Sequence, residues 1–278
     1  MRPNNNEAPH SQLQARRHAS IYERARRDGI VKVAELAEEL GVADMTIRRD
    51  LEALERQGLV ERIHGGAIVN DRVGLEPLYE QKSALRQAEK RAIGRLAATL
   101  IKEGDTVFVN SGSTTVQFIE HLDVAGVKII TNNPLVPIHA RSEKLEIHLT
   151  GGELRRESLT LVGDTAQRAV RRVFANKAVI GVDGFSIRHG LTNPTQAEAW
   201  LNRLMIKMTH GEVILVADSS KVGKVANFLT APISAVATIV TDEGMDARFV
   251  EEFQRMGIRV LLARVEEQDE RQARPSLT

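Results

Sequence analysis

The chain has no cysteine in its 278 residues, which excludes disulfides and thiolate metal sites. Aromatic residues are scarce at 4 %, with a single tryptophan. No apolar run approaches the roughly 20 residues that a membrane-spanning helix needs. Met1 to His10 is polar and lacks the apolar core of a secretion signal, so a cytoplasmic protein is expected. Excess charge is missing too: 38 Lys+Arg against 37 Asp+Glu leaves +1, and global charge does not announce a polyanionic partner. There is no GxSxG, P-loop or GxGxxG sequence. His64, His121, His139, His148, His189 and His210 show neither HxxxH nor carboxylate-rich spacing. These absences predict no metal, no cofactor and no catalytic centre.

What is present is ordinary for a soluble globular chain, at 42 % hydrophobic and 27 % charged residues. The length suits two domains. The informative stretch is Asp44-Met45-Thr46-Ile47-Arg48-Arg49-Asp50, which follows the turn Gly41-Val42-Ala43. Before it, residues 33–40 place Leu36, Ala37 and Leu40 at helical spacing. After it, Ile47, Leu51 and Leu54 continue a helix over 44–57 until Gly58. A short helix, a glycine turn and a second helix opening with polar and basic residues read as helix-turn-helix. In that motif the first residues of the second helix meet base edges in the major groove. Asp44, Met45, Thr46, Arg48 and Arg49 are the candidate exposed face. Arginine reads guanine by a bidentate contact. The competing reading pairs Arg48 and Arg49 with Asp50 or Glu52.

A first helix is expected from Ser11 to Arg27, with Leu13, Ile21 and Ala25 on its apolar stripe. It carries Arg16, Arg17, Arg24, Arg26 and Arg27, a candidate basic face if Glu35, Glu38 and Glu39 point elsewhere. Residues 30–33 are too short for more than a link or a small strand. Leu59 to Val69 reads as two strands around Gly65-Gly66, a wing whose Arg62 and His64 are candidates for phosphate or minor groove.

The run VAELAEELGVADMTIRRDLEALERQGLVERIHGGA resembles the helix-turn-helix signature of the DeoR family of bacterial transcriptional regulators, most specifically in MTIRRDL and HGGA. Ala43 stands where that family often has Ser, so Asp44 is expected to take over capping.

From Ala88 the pattern becomes alternating helix and strand. Strands are predicted near 106–109, 127–131, 145–149, 178–181, 213–217, 237–240 and 259–262. Helices are predicted at 88–101, 113–121, 134–141, 164–173, 195–209 and 246–256. This alternation implies a mostly parallel sheet covered on both faces, with ligands at the carboxyl ends of its strands. Polar, glycine-rich loops fall at those ends: Asn110 to Thr115, Thr131 to Asn133, Gly151 to Arg156, Gly181 to Gly184, and Asp218 to Lys221. Each alone reads as a turn. Together they combine phosphate donors, a hydroxyl-binding Asp183 and an anion-pairing Lys221, an inventory that suits a phosphorylated sugar or polyol. Glu198 is a candidate to accept a ligand hydroxyl, to cap its helix or to act as a base. Trp200 is expected in the core with Leu201, Leu204 and Met205.

The resemblance extends over about residues 15–262. From Glu89 onward the chain looks like the DeoR-type sensor domain, whose fold is similar to ribose-5-phosphate isomerase. It implies an α/β fold: a winged helix-turn-helix domain at 13–70, a linker at 71–87 and an effector-sensing domain at 88–263. Residues 1–12 are expected to be disordered and 264–278 to form a charged tail. By the match, Ser111, Gly112, Ser113, Thr114 and Thr115 fall on the family's phosphate loop, Asp183 on its G-x-D-G aspartate and Lys221 on the lysine of D-S-S-K. Asn132, Gly151, Gly152 and Glu198 complete the expected effector site. Asn110 stands where many relatives have Asp, which puts an effector contact or its charge preference in question. The implied function is a homo-oligomeric repressor, dimer or tetramer, that binds double-stranded operator DNA and is released by a phosphorylated sugar or polyol. The alternative is a sugar-phosphate isomerase with an accessory DNA-binding head.

Overall fold

A computed structural model of the chain describes residues 8–28, 30–56, 59–63, 65–69 and 78–266. It divides into two compact units, Met1–Leu85 and Arg86–Thr278.

The first unit contains α1 (Ala8–Asp28), β1 (Ile30–Lys32), α2 (Val33–Leu40), α3 (Asp44–Arg56), β2 (Val60–Ile63), β3 (Gly66–Val69) and α4 (Tyr79–Ala84). α1 begins at Ala8, so part of the stretch expected to be disordered is helical; Pro9 sits in its first turn, where proline costs no hydrogen bond. The heptad-like stripes converge as expected. Ile21 and Ala25 of α1, Leu36 and Ala37 of α2, and Ile47, Leu51 and Leu54 of α3 form one core with Val60 and Ala67. Leu13 lies outside it, largely exposed. The short apolar run after α1 is a true strand: β1 pairs antiparallel with β3, and β3 with β2, giving the order β1-β3-β2. α2 closes at Gly41, where the Val42 N–H donates to the Ala37 carbonyl at 3.0 Å and turns the chain into α3. Within the expected linker, α4 packs against α1. The linker's remaining residues 71–77 lie outside the described residues.

The second unit opens with α5 (Gln87–Ala98), β4 (Thr106–Val109), α6 (Ser113–His121), β5 (Lys128–Thr131), α7 (Val136–His139) and β6 (Glu146–Leu149). A hairpin follows, β7 (Glu153–Arg155) and β8 (Thr160–Val162), then α8 (Gly163–Val170), β9 (Ala175–Ile180), β10 (Gly184–Ser186) and β11 (Gly190–Asn193). The chain ends through α9 (Gln196–Lys207), β12 (Thr209–Val216), β13 (Phe228–Ala231), β14 (Thr238–Asp242), α10 (Ala247–Arg255) and β15 (Arg259–Ala263). Seven strands form one parallel sheet in the order β15-β14-β12-β9-β4-β5-β6. Alternate side chains of each strand enter opposite layers. Val107 and Val109 of β4 pack with Ile93 of α5 and Phe118 of α6. Phe108 of the same strand packs with Val170 of α8 and Leu201 of α9. Burial on both faces explains why these strands read as continuous apolar runs.

The hairpin β7–β8 and the antiparallel sheet β10-β11-β13 were not expected. Trp200 is a correction as well. Leu201, Leu204 and Met205 are buried, but Trp200 is 52 % exposed. One residue back along a helix is a turn of about 100°, which carries its side chain off the inward stripe.

Candidate functional site

In the first unit the leading residues of α3 form an open face. Asp44, Met45, Arg48 and Arg49 are exposed, and Thr46 is half-buried. Met45 is 59 % exposed on this face. The helix starts at Asp44 itself. The Ala43 carbonyl accepts from Thr46 N at 2.8 Å, so Ala43 holds the cap position and Asp44 lies in the first turn, contrary to the expected capping role. There its charge suits the helix dipole.

The acids expected to neutralise Arg48 and Arg49 are engaged elsewhere. Asp50 is buried, receiving Arg17 Nε at 2.5 Å, Arg17 Nη2 at 3.1 Å and His18 Nε2 at 2.9 Å from α1. Burial works against its charge, but the hydrogen bonds from His18 and Arg17 and their charges outweigh it and hold the carboxyl below its ordinary value. Glu52 accepts from Arg62 Nη1 at 3.2 Å. Arg62 therefore leans from β2 onto α3, also reaching the Arg48 carbonyl at 3.5 Å, and braces the wing instead of extending from its tip. His64 lies outside the described residues. The arginine cluster of α1 is partly spent: Arg17 holds Asp50, and Arg24 pairs with Glu39 at 2.7 Å.

In the second unit the parallel topology brings the expected loops to one edge. The chain leaves β4 outward through β5 and β6, and leaves β9 the other way through β12, β14 and β15. The strand order reverses between β4 and β9, and in sheets of this kind ligands bind outside the carboxyl ends at that switch point. Asn110 joins the two ends: its Nδ2 donates to the Gly181 carbonyl and its Oδ1 accepts the Gly181 N–H, both at 2.8 Å. The residue is buried, and both ends of its amide tie the two strand ends together.

On one flank, Ser111 N donates to Asn132 Oδ1 at 3.0 Å, and Asn132 Nδ2 donates to the Leu161 carbonyl at 3.2 Å. Ser111 Oγ donates to the Leu159 carbonyl at 3.1 Å. Thr115 Oγ1 shares its one hydroxyl proton between the carbonyls of Asn110 and Gly112, at 2.8 and 2.9 Å. These hydroxyls shape the loop. Gly112, Ser113 and Thr114 form the amino-terminal turn of α6, whose first N–H groups have no partner within the helix. Gly151 and Gly152 lead into β7.

On the other flank, Asp183 accepts from Asn193 Nδ2 at 3.3 Å. Asn193 is held in turn by Asn202 at 3.2 Å and Thr230 at 2.7 Å. Gly184 permits the next contact. A Cβ there would lie 2.4 Å from the Lys224 carbonyl, so only glycine lets this loop close on the one that follows Lys221. Gly223 N completes the junction by donating to the Phe185 carbonyl at 2.8 Å. Glu198 is buried in the first turn of α9, 3.9 Å from Arg155 Nε of the hairpin.

The sequence places Asp218 and Arg155 in rim loops but shows neither their partners nor the part played by Lys90 and Asp242. Asp218 is buried and faces Lys221, Lys90 and Arg86. Burial opposes its charge, yet those cations and the Ser220 hydroxyl outweigh it and hold the carboxyl below its ordinary value. Lys90 was detectable, because it shares the helical stripe of Ile93 and Ala97 and interrupts it with a charge. Asp242, ending β14, accepts from Ser219 N at 2.7 Å and Gly244 N at 3.0 Å, bracing the Lys221 loop. Arg155 arrives on a hairpin too short to anticipate. A cavity of about 560 Å³ also opens on the β10-β11-β13 sheet, beside His189, Val225 and Met256; none of the expected effector residues lines it.

The family model of the DeoR-like helix-turn-helix domain matches residues 17–73, and that of the DeoR C terminal sensor domain matches 85–243. The HTH-type transcriptional regulator GlpR of Haloferax volcanii is 36 % identical over 230 residues, 82 % of this chain and 90 % of that protein. A putative aga operon transcriptional repressor of Escherichia coli O157:H7 is 34 % identical, covering 88 % of this chain and 93 % of its own. The lactose phosphotransferase system repressor of Lactococcus lactis subsp. lactis is 32 % identical, covering 86 % and 94 %. Among solved structures, a D-ribose-5-phosphate isomerase in complex with phospho-erythronic acid aligns with TM-score 0.36 and 16 % identity, over 48 % of this chain and 52 % of that one. The full-length sorbitol operon regulator SorC from Klebsiella pneumoniae aligns with TM-score 0.38 and 14 % identity, over 95 % and 99 %. The sensor model alone matches more than half of the chain, and the chain belongs to the DeoR family of transcriptional regulators.

Proposed function

We propose that this protein is a cytoplasmic, homo-oligomeric repressor of a carbohydrate-utilisation operon, released from its operator by a phosphorylated sugar or polyol. The observation that carries this reading is the junction at Gly184, which sets the Asp183 loop against the Lys221 loop beside the switch point at Asn110. Ser111 and Thr115 spend their hydroxyls on backbone carbonyls. The phosphate is therefore assigned to the N–H groups of the α6 amino terminus with the hydroxyls of Ser113 and Thr114, and to Lys221. Asp183 and Glu198 take ligand hydroxyls, and Arg155 supplies a further cation. Relatives bearing the names of operon repressors support the direction of control. Release requires that the effector bind the DNA-competent and DNA-incompetent arrangements with different affinity. One head contacts few bases, which is why an oligomer presenting several heads is included.

The test is a melting-temperature screen of the full chain against pentose, hexose and polyol phosphates, with each hit assayed for DNA release and for turnover. Stabilisation and release without conversion support the sensor. Conversion of the hit would favour an isomerase bearing a DNA-binding head. Asp183→Ala is expected to keep DNA binding and lose the response; release at the wild-type effector concentration would remove Asp183 from the site.

A further inference from the structure

Asp50 occupies a position where the pattern of α3 calls for an apolar residue. Ile47, Asp50, Leu51 and Leu54 are all buried and share one helical stripe. Apolar contact alone is non-directional and lets a short helix roll on its core. A buried carboxylate adds direction, because it is tolerated only with its partners in place. Arg17 meets it with two guanidinium nitrogens, at 2.5 and 3.1 Å, and His18 adds a third contact at 2.9 Å. A planar fork of this kind constrains angle as well as distance. All three contacts come from α1, so they fix α3 against one neighbour. Arg48 and Arg49, two residues and one residue before Asp50, project from the exposed side. The roll of α3 about its axis decides where they point.

We infer that Asp50 is a positioning residue for DNA reading: clamped by Arg17 and His18, it sets the roll of α3 and thereby aims Arg48 and Arg49. α1 becomes the carrier of that setting. The last helix before the sensor unit, α4, also packs on α1. The inference rests on α3 being that helix.

The test uses the full chain and a DNA site that the wild-type protein selects from a random pool. Affinities for selected and random DNA are measured by fluorescence anisotropy, well below the melting temperature of every variant. Asp50→Asn is expected to lower the selected-to-random ratio by about ten-fold or more while leaving affinity for random DNA within about two-fold. A purely structural role would lower the melting temperature and leave that ratio unchanged, which overturns the inference. Asp50→Glu, which keeps the carboxylate, is expected to recover part of the ratio. If Asp50→Asn fails to fold, Arg17→Gln decides alone: a ratio within two-fold of wild type overturns the clamp. Where both fold, the double variant is expected to be no worse than Asp50→Asn, and additive losses would show that Arg17 acts apart from Asp50. Failure of the wild-type protein to select any site would instead overturn the assignment of α3 itself.

Discussion

At position 110 an amide does what a carboxylate at neutral pH does not. It donates to the Gly181 carbonyl and accepts from the Gly181 N–H at once, inside a site closed to water. Asn110→Ala orphans both backbone groups, each costing about 1–3 kcal/mol when buried without a partner. The expected outcome is a sensor unit with a markedly lower melting temperature. An unchanged melting temperature with a lost effector response would instead make Asn110 a ligand contact. Arg48 carries the complementary prediction in the head. With Asp50 held by α1 and Glu52 by Arg62, its guanidinium is available for a base edge. Arg48→Ala is expected to lose about 1–3 kcal/mol of discrimination between selected and random DNA. Equal loss on both DNAs would assign it to phosphate. Residue identity let the sequence place both arginines on the exposed face. It did not reveal that Asp50 points inward, since a carboxylate on an apolar stripe is explained only by partners 32 and 33 positions away.

Long periodic segments were legible from sequence because burial imposes the period. α3 and α6, and the parallel strands from β4 to β15, fall where the spacing of apolar residues puts them. Three-residue strands leave no period to read. β7, β8 and β10 were missed for that reason, although β7 and β8 bring Arg155 to the rim. β1 was nearly missed, and it matters to the wing. Its Val31 carbonyl would lie 2.0 Å from a Cβ on Gly66, so β3 approaches β1 only because residue 66 has no side chain. Gly66→Ala is therefore expected to pry β3 from β1 and loosen Arg62 from Glu52, weakening DNA affinity and lowering the melting temperature of the head. Gly65 has open space around its Cβ position and is the control. Asn tolerates its positive φ, so Gly65→Asn is expected to leave both quantities near wild type. Matched losses in the two variants would refute the steric account.

Across the whole molecule, one stabilising cluster of the sensor unit, built on Asp105, lies at the opposite sheet edge from the groups assigned to the effector. Asp105, just before β4, takes Lys177 Nζ at 2.7 Å and Lys102 N at 2.8 Å, and Asn176 also donates to it. Lys177 Nζ also donates to the Leu100 carbonyl at 2.6 Å. Burial disfavours the Asp105 charge, but these bonds outweigh it and depress the carboxyl below its ordinary 3.8. A depressed folded pKa means stability that is present above the unfolded value and lost as pH falls through the folded one. The sensor unit should thus weaken below about pH 4. Asp105→Asn strands the Lys177 ammonium and is expected to cost about 3–5 kcal/mol at neutral pH. The variant should also show a shallower acid dependence, leaving the share contributed by Asp218. Asp50 supplies a separate acid dependence to the head. Calorimetry of the full chain across pH should therefore show one transition lowered and flattened by Asp105→Asn and another untouched. Because Asp105 lies at the amino-terminal edge of the sheet, stabilisation by any effector found in the screen should survive the substitution. A variant that lost its effector response while still folded would show that the two edges are coupled, and would overturn this division of labour.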